Sequence, residues 1–264
     1  GRADGIWTEE AFTTIDEIKG TFREVDRMTE PMRVHLAQAR CYAYIYSEQN
    51  QLDKAGVRMV YANLETEDVR YFTENWEWPV LKAWFDDLME RYYRWLSFQA
   101  DWTEQREASL KKLVFPYEYR EGQRELAAGV YRSILRKKRL FIQAPTGVGK
   151  TLSALFPALK AVGEGLGDKI FYLTARTITR MVAADTLDLL REQKMRVKSL
   201  VLTAKEKLCI CQEVQCDPDH CPRAKGHYDR INDAVYDLWT KGPVSCTREV
   251  ILTQAEKYQV CPFE

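Results

Sequence analysis

Ala144-Pro145-Thr146-Gly147-Val148-Gly149-Lys150-Thr151 stands between the apolar run Leu140-Phe141-Ile142 and the helix-forming run Leu152-Ser153-Ala154-Leu155. A strand, a glycine-rich loop and a helix in that order make a phosphate cradle. Gly147 and Gly149 let successive backbone N–H groups turn inward, Lys150 brings a point charge to the terminal phosphates, and Thr151 offers a hydroxyl to Mg²⁺. The helix beginning here points its positive end at the same anion. A glycine turn serving only to join strand and helix needs no Lys-Thr after the second Gly. The general pattern of such loops has Gly where Ala144 stands, so the first position departs from it.

Working outward, the helical pattern of residues 121–135 leads into Leu140-Phe141-Ile142, and residues 169–174 (KIFYLT) and 197–203 (VKSLVLT) read as further strands. They alternate with helical stretches at 151–162 and 177–193, which predicts an α/β unit with a parallel, doubly wound sheet. Towards the N-terminus, residues 4–19 predict two strands joined at Thr8-Glu9-Glu10, with Asp4 on the first and Glu17 and Lys19 on the second. A helix follows Thr29-Glu30-Pro31, then a hairpin from 57–64 and 69–72. From Pro79 onward, Leu81, Trp84, Phe85, Leu88, Met89, Tyr92, Trp95 and Leu96 recur at helical spacing and read as a packing face. The segment 106–114 is the expected domain boundary.

The chain of 264 residues is long enough for one large or two modest domains. It has no apolar run of membrane-spanning length and no apolar signal-like start, so a soluble cytoplasmic protein without a membrane partner is expected. Its zero net charge hides an asymmetry. Residues 1–110 hold 13 Lys and Arg against 21 Asp and Glu, whereas residues 111–264 hold 26 against 18. A basic C-terminal part suits a polyanionic partner, although a drift of surface charge between two domains gives the same numbers. Six of the seven cysteines follow residue 208, a clustering that favours a metal site over disulfides.

On strand two, Glu17 and Lys19 project to the same side. Asp4, Glu17 and Lys19 brought to one spot can hold Mg²⁺ or Mn²⁺ and position a water for phosphodiester attack. Gln38 and Tyr42, four apart on the next helix, share one helical face. Glu-x-Lys alone also arises by chance in a chain that is 30% charged.

These motifs, in this order, resemble two known families. The loop with Ala at its head resembles that of helicases. FPYEYREGQ (115–123) resembles the adenine-recognising Q-motif of XPD/DinG-type iron–sulfur helicases of superfamily two. The resemblance implies a RecA-like helicase domain over 111–264 that binds ATP through Arg120, Gln123 and residues 144–151. It further implies that Thr174, Arg176 and Thr177, in Leu173-Thr174-Ala175-Arg176-Thr177, touch phosphates of single-stranded DNA. Helicases of this type insert a 4Fe–4S domain between these motifs and the Walker B carboxylates, here at about 205–261. By that resemblance Cys209, Cys216, Cys221 and Cys261 are the cluster ligands, with Cys211 and Cys246 as spares pointing elsewhere. Zinc in a Cys₄ or Cys₃His site with His220 is the rival, though the spacing matches no common zinc finger. No Walker B pair follows Cys261, so a fragment cut before that motif is expected.

Asp4 with Glu17-Ile18-Lys19, followed by Gln38-Ala39-Arg40-Cys41-Tyr42, resembles the PD-(D/E)xK and Gln-x-x-x-Tyr signatures of RecB-type nucleases. It implies a partial restriction-endonuclease-like domain over 1–105, lacking the family's first active-site motif. The joint expectation is a nuclease–helicase fusion acting on single-stranded and forked or duplex DNA. Its rivals are a DNA-sensing ATPase that does not unwind, and a Mg²⁺-dependent nuclease with the ATPase as feeder.

Overall fold

The computed structural model describes residues 2–10, 12–145, 147–175, 177–211 and 213–263, the side chains of 177–179 excepted. The chain divides into two compact units, Gly1–Ser97 and Phe98–Glu264.

The first unit is built on a four-stranded sheet in the order β1-β2-β3-β4. β1 (Gly5–Glu9) and β2 (Phe12–Thr21) form an antiparallel hairpin, turned at Glu10 with φ of 46°. α1 (Arg33–Asn50) then carries the chain across one face of the sheet, so that β3 (Lys54–Asn63) returns parallel to β2. Parallel neighbours require such a crossover, because a tight turn can only reverse direction. β4 (Val69–Glu77) pairs antiparallel with β3. Alternation sends Ile15, Val57, Met59 and Tyr61 to the face that α1 covers with Ala39 and Ala43, and this is the buried core of the unit. Small alanines on α1 let the helix approach the sheet closely. α2 (Trp78–Lys111) starts in this unit, where Leu81 joins the core and Phe85 and Trp78 stack on Tyr44.

The opposite face of the sheet pairs Arg58 bidentately with Asp16, at 2.9 and 2.6 Å. Asp4 falls just before β1 rather than on it, and its Oδ2 accepts from the Ile18 N–H at 2.8 Å. The segment expected to be the domain boundary contains the end of α2 at Lys111, while the compact units divide earlier, within that helix.

The second unit holds α3 (Gln123–Leu135), α4 (Lys150–Gly163) and α5 (Thr177–Arg191), close to the expected spans. Leu110, Leu113, Leu152, Leu159, Val162, Leu190 and Met195 make its main core. A second cluster of Ala234, Ala255 and Val260 joins α7 (His227–Lys241) to α8 (Arg248–Tyr258), beyond the short α6 (Lys205–Leu208).

The expected parallel sheet is a point of difference. Among the described residues of the second unit only Ser199–Leu200 (β5) finds a ladder, parallel to Ser245–Cys246 (β6). Residues 140–142 and 169–174 form no ladder, and Phe141 and Leu173 are 93% and 86% exposed. An apolar run becomes a strand only when another backbone satisfies its N–H and C=O groups, and the described residues supply that partner to 199–200 alone. No helix among the described residues is long and apolar enough to cross a membrane.

Candidate functional site

The loop before α4 is shaped at its two glycines. Gly147 and Gly149 take φ of 85° and 71°, a region that glycine enters without steric cost. Gly149 is also the N-cap of α4 and no side chain caps the helix there, leaving first-turn amides for an anion. Lys150 folds over the loop, its Nζ donating to Ala144 O at 3.1 Å and Pro145 O at 2.7 Å. An ammonium parked on two carbonyls inside a phosphate-sized turn is ready to exchange them for phosphate oxygens. Thr151 Oγ1 lies 3.3 Å from the Tyr172 hydroxyl. Thr146 lies outside the described residues, and Val148 takes its place in the turn between the two glycines.

Two residues expected at the nucleotide from the upstream segment do meet this loop. Arg120 donates through its guanidinium to Gly147 O at 2.7 Å. Gln123 is 5% exposed, and its Oε1 accepts from the Arg120 N–H at 3.0 Å. Its Nε2 lies where a Cβ on Gly149 would meet it at 2.7 Å; that side-chain end can move aside, and it is the φ of 71° that favours glycine at 149. Residues 115–123 are thus tied to the phosphate loop by side-chain contacts across a long sequence gap. Tyr172 is the partner that sequence reasoning missed; it lies inside KIFYLT, where nothing distinguishes it from a packing residue.

Of the three expected DNA contacts, Arg176 lies outside the described residues, as does the side chain of Thr177, whose backbone begins α5. Thr174 sits in the exposed stretch just before it.

In the first unit, four of the five residues expected at a nuclease site, Glu17, Lys19, Gln38 and Tyr42, are linked by hydrogen bonds. Glu17 is 1% exposed, with Oε1 2.6 Å from Lys19 Nζ and a buried Oε2 that has no hydrogen-bond partner among the described residues. Lys19 Nζ also donates to Gln38 Oε1 at 3.2 Å, and Gln38 Nε2 reaches Tyr42 Oη at 3.5 Å. One strand and one helix face therefore present Glu17, Lys19, Gln38 and Tyr42 as a connected set. Asp4 joins β2 through the Ile18 amide, next in sequence to Glu17. A buried carboxylate oxygen without a donor is costly unless a cation meets it, so the donor chemistry fits a divalent ion.

The cysteines are arranged differently from expectation. Cys211, expected to point elsewhere, lies 3.9 Å from Cys221. The Cys221 thiol beside it, with burial and Cys209 adding, pushes Cys211 up to about 11. Burial pushes the Cys221 thiol up, but the backbone N–H groups of Ala224 and Arg223, with Cys211, outweigh it and hold Cys221 below the usual thiol range. The reason for the correction is local: the turn after α6 carries Cys211 up to Cys221. Cys246 does stand apart, buried with its Sγ toward Pro243 O. Cys216 is exposed, and the Cys261 N–H donates to His227 Nδ1 at 3.2 Å. His220 lies beside Asp217 at 3.7 Å. Among the described residues no three His, Cys, Asp or Glu side chains are gathered closely enough to hold one metal ion.

Comparison with known proteins bears on the second unit. Residues 124–221 match the family model described as DEAD/DEAH box helicase. A 49-residue stretch is 50% identical to a probable ATP-dependent helicase of Methanocaldococcus jannaschii, covering 18% of this chain and 8% of that protein. No solved structure matches. Residues 124–221 are thus similar to a helicase family model, in a chain whose architecture is mixed α/β.

Proposed function

We propose that this chain is the ATP-binding part of an iron–sulfur DNA helicase of XPD/DinG type, joined to an N-terminal unit of RecB nuclease type. The observation that carries the helicase reading is the loop itself. Lys150 lies across the Ala144–Pro145 carbonyls, while Arg120 and Gln123 from 115–123 close on Gly147 and Gly149. In this reading the backbone of 144–149 cradles the phosphates of ATP, Lys150 neutralises the terminal ones, and Thr151 contributes a hydroxyl ligand to Mg²⁺. Arg120 and Gln123 order the loop and meet the adenine edge. Thr174, Arg176 and Thr177 face single-stranded DNA, in a half of the chain whose charge suits a polyanion.

Cys209, Cys216, Cys221 and Cys261 hold the 4Fe–4S cluster in this proposal, and Cys211, 3.9 Å from Cys221, is the substitute ligand. The thiol chemistry fits. Cys221 is biased toward thiolate, the ligating form, and Cys211 beside it presents a second soft donor. The cluster domain would guide or wedge strands and takes no part in redox turnover.

The test is strand displacement on a forked duplex, using a protein that contains this chain together with a second RecA-like domain. ATP-dependent displacement, absent in the Lys150→Ala variant, is the expected result. DNA-stimulated hydrolysis without any displacement would replace the motor with a DNA-sensing ATPase.

One observation favours a second activity alongside the first. The unpartnered buried Oε2 of Glu17, beside Lys19 and Gln38, suits Mg²⁺- or Mn²⁺-dependent cleavage of DNA in the N-terminal unit. Asp4 and Glu17 would hold the ion, and Lys19 would steady the attacking water or the phosphate.

A further inference from the structure

His35 belongs to none of the signatures recognised above, yet the fold sets it beside Lys19. It lies one turn before Gln38 on α1, and residues three apart share a helical face. Its Nδ1 is 3.1 Å from the hydroxyl of Tyr61. Tyr61 in turn pairs with Lys19 in the parallel β2–β3 register, so the two side chains leave the sheet on the same face. Lys19 reaches up to Gln38, and Tyr61 reaches up to His35, as two parallel struts between sheet and helix.

The hydrogen bonds suit a ring protonated on Nε2. The Tyr61 hydroxyl accepts the Met32 N–H at 3.0 Å, and its own proton can be turned toward His35 Nδ1. An imidazole that accepts at Nδ1 carries its proton on Nε2, the nitrogen on the far side of the ring from Tyr61. Burial and the Lys19 ammonium push His35 below the usual histidine range, against the smaller pull of Glu17, which keeps the ring neutral near pH 7. Tyr61 itself is 2% exposed and locked by packing, whereas His35 is only half-buried, so the outward nitrogen has access to a ligand.

We infer that His35 is a phosphate-binding residue of the N-terminal unit, its Nε2–H donating to a backbone phosphate of the bound DNA strand, with Tyr61 as its positioning residue. The inference rests on the nuclease reading of Glu17 and Lys19. It adds a neutral donor, held in one tautomer, to a site whose other phosphate-facing group is the Lys19 cation. A neutral donor next to a lysine holds a phosphate oxygen without repelling a divalent ion on Glu17.

The experiment uses the 264-residue chain and a fluorescent single-stranded oligonucleotide, with Ca²⁺ present so that binding is read without cleavage. Mn²⁺ binding is followed in parallel by calorimetry. Losing one hydrogen bond to a charged group predicts that His35→Ala weakens the oligonucleotide about tenfold. His35→Gln, which returns an N–H at similar reach, recovers most of it. Tyr61→Phe falls between the two, because the tautomer is no longer held. Mn²⁺ binding is unchanged in all three variants, which also reports that the unit has folded. Oligonucleotide affinity within twofold of wild type in His35→Ala, with Mn²⁺ bound normally, overturns the inference and leaves the nuclease reading standing. Wild-type chain that binds no Mn²⁺ overturns both.

Discussion

Glu17→Gln is expected to remove divalent-metal binding from the N-terminal unit, and with it any Mg²⁺- or Mn²⁺-dependent cleavage of DNA. The substitution keeps the shape of the side chain and an oxygen for Lys19 Nζ, now at 2.6 Å from Oε1, so the strand and its contact with Gln38 remain. What changes is Oε2, buried and without a donor, which loses the negative charge that would meet a cation. Removing a group that stabilises charge at a reacting phosphate costs a factor of about a hundred or more in rate. Calorimetry with Mn²⁺ and gel analysis of a labelled oligonucleotide read the two effects separately. A Glu17→Gln chain that binds the ion and cuts like wild type would mean that the Glu17–Lys19 pair is structural.

The second large effect concerns iron. Anaerobically purified wild-type chain is expected to be brown and to contain iron and sulfide, and Cys221→Ser is expected to be colourless. Cys221 is the thiol whose surroundings most favour the thiolate, because Ala224 and Arg223 direct backbone N–H groups toward it, so a serine hydroxyl there is the poorest replacement. Cys246→Ser should retain full colour, since Cys246 is buried against Pro243 O, away from the other thiols. Cys211→Ser separates the two ligand sets. Retained iron leaves Cys209, Cys216, Cys221 and Cys261 in place, and lost iron puts Cys211 among them, as its 3.9 Å approach to Cys221 suggests. Colourless wild-type protein with one equivalent of zinc would hand the site to the rival metal.

Much of this was legible in the sequence where the signal is local. The loop 144–151 carries its conformation in Gly147 and Gly149 and its chemistry in Lys150, all within one turn of chain. The β2 alternation that buries Ile15 and Glu17, and the four-residue spacing of Gln38 and Tyr42 on α1, are likewise short-range patterns. Legibility failed where the outcome depended on a distant partner. Apolar composition marks 140–142 and 169–174 as strand-like, but a ladder needs a second backbone, and only 199–200 obtained one, from 245–246. The pattern places Asp4 on the first strand, whereas its carboxylate is taken by the Ile18 amide just outside it. The family resemblance leaves Cys211 as a spare, and its approach to Cys221 follows from how the turn after α6 packs. The tie between Tyr61 and His35 leaves no mark in either local pattern, since each residue reads as an ordinary member of its own strand or helix.

Titration calorimetry with ATP and Mg²⁺ on wild-type and Lys150→Ala chains decides whether residues 144–151 form the ATP site of a helicase-type unit. The wild-type chain is predicted to bind one ATP. The variant, deprived of the ammonium that now rests on the Ala144 and Pro145 carbonyls, is predicted to show no saturable heat over the same concentrations. Equal affinity in the two proteins, or no ATP binding by the wild type, would contradict the assignment.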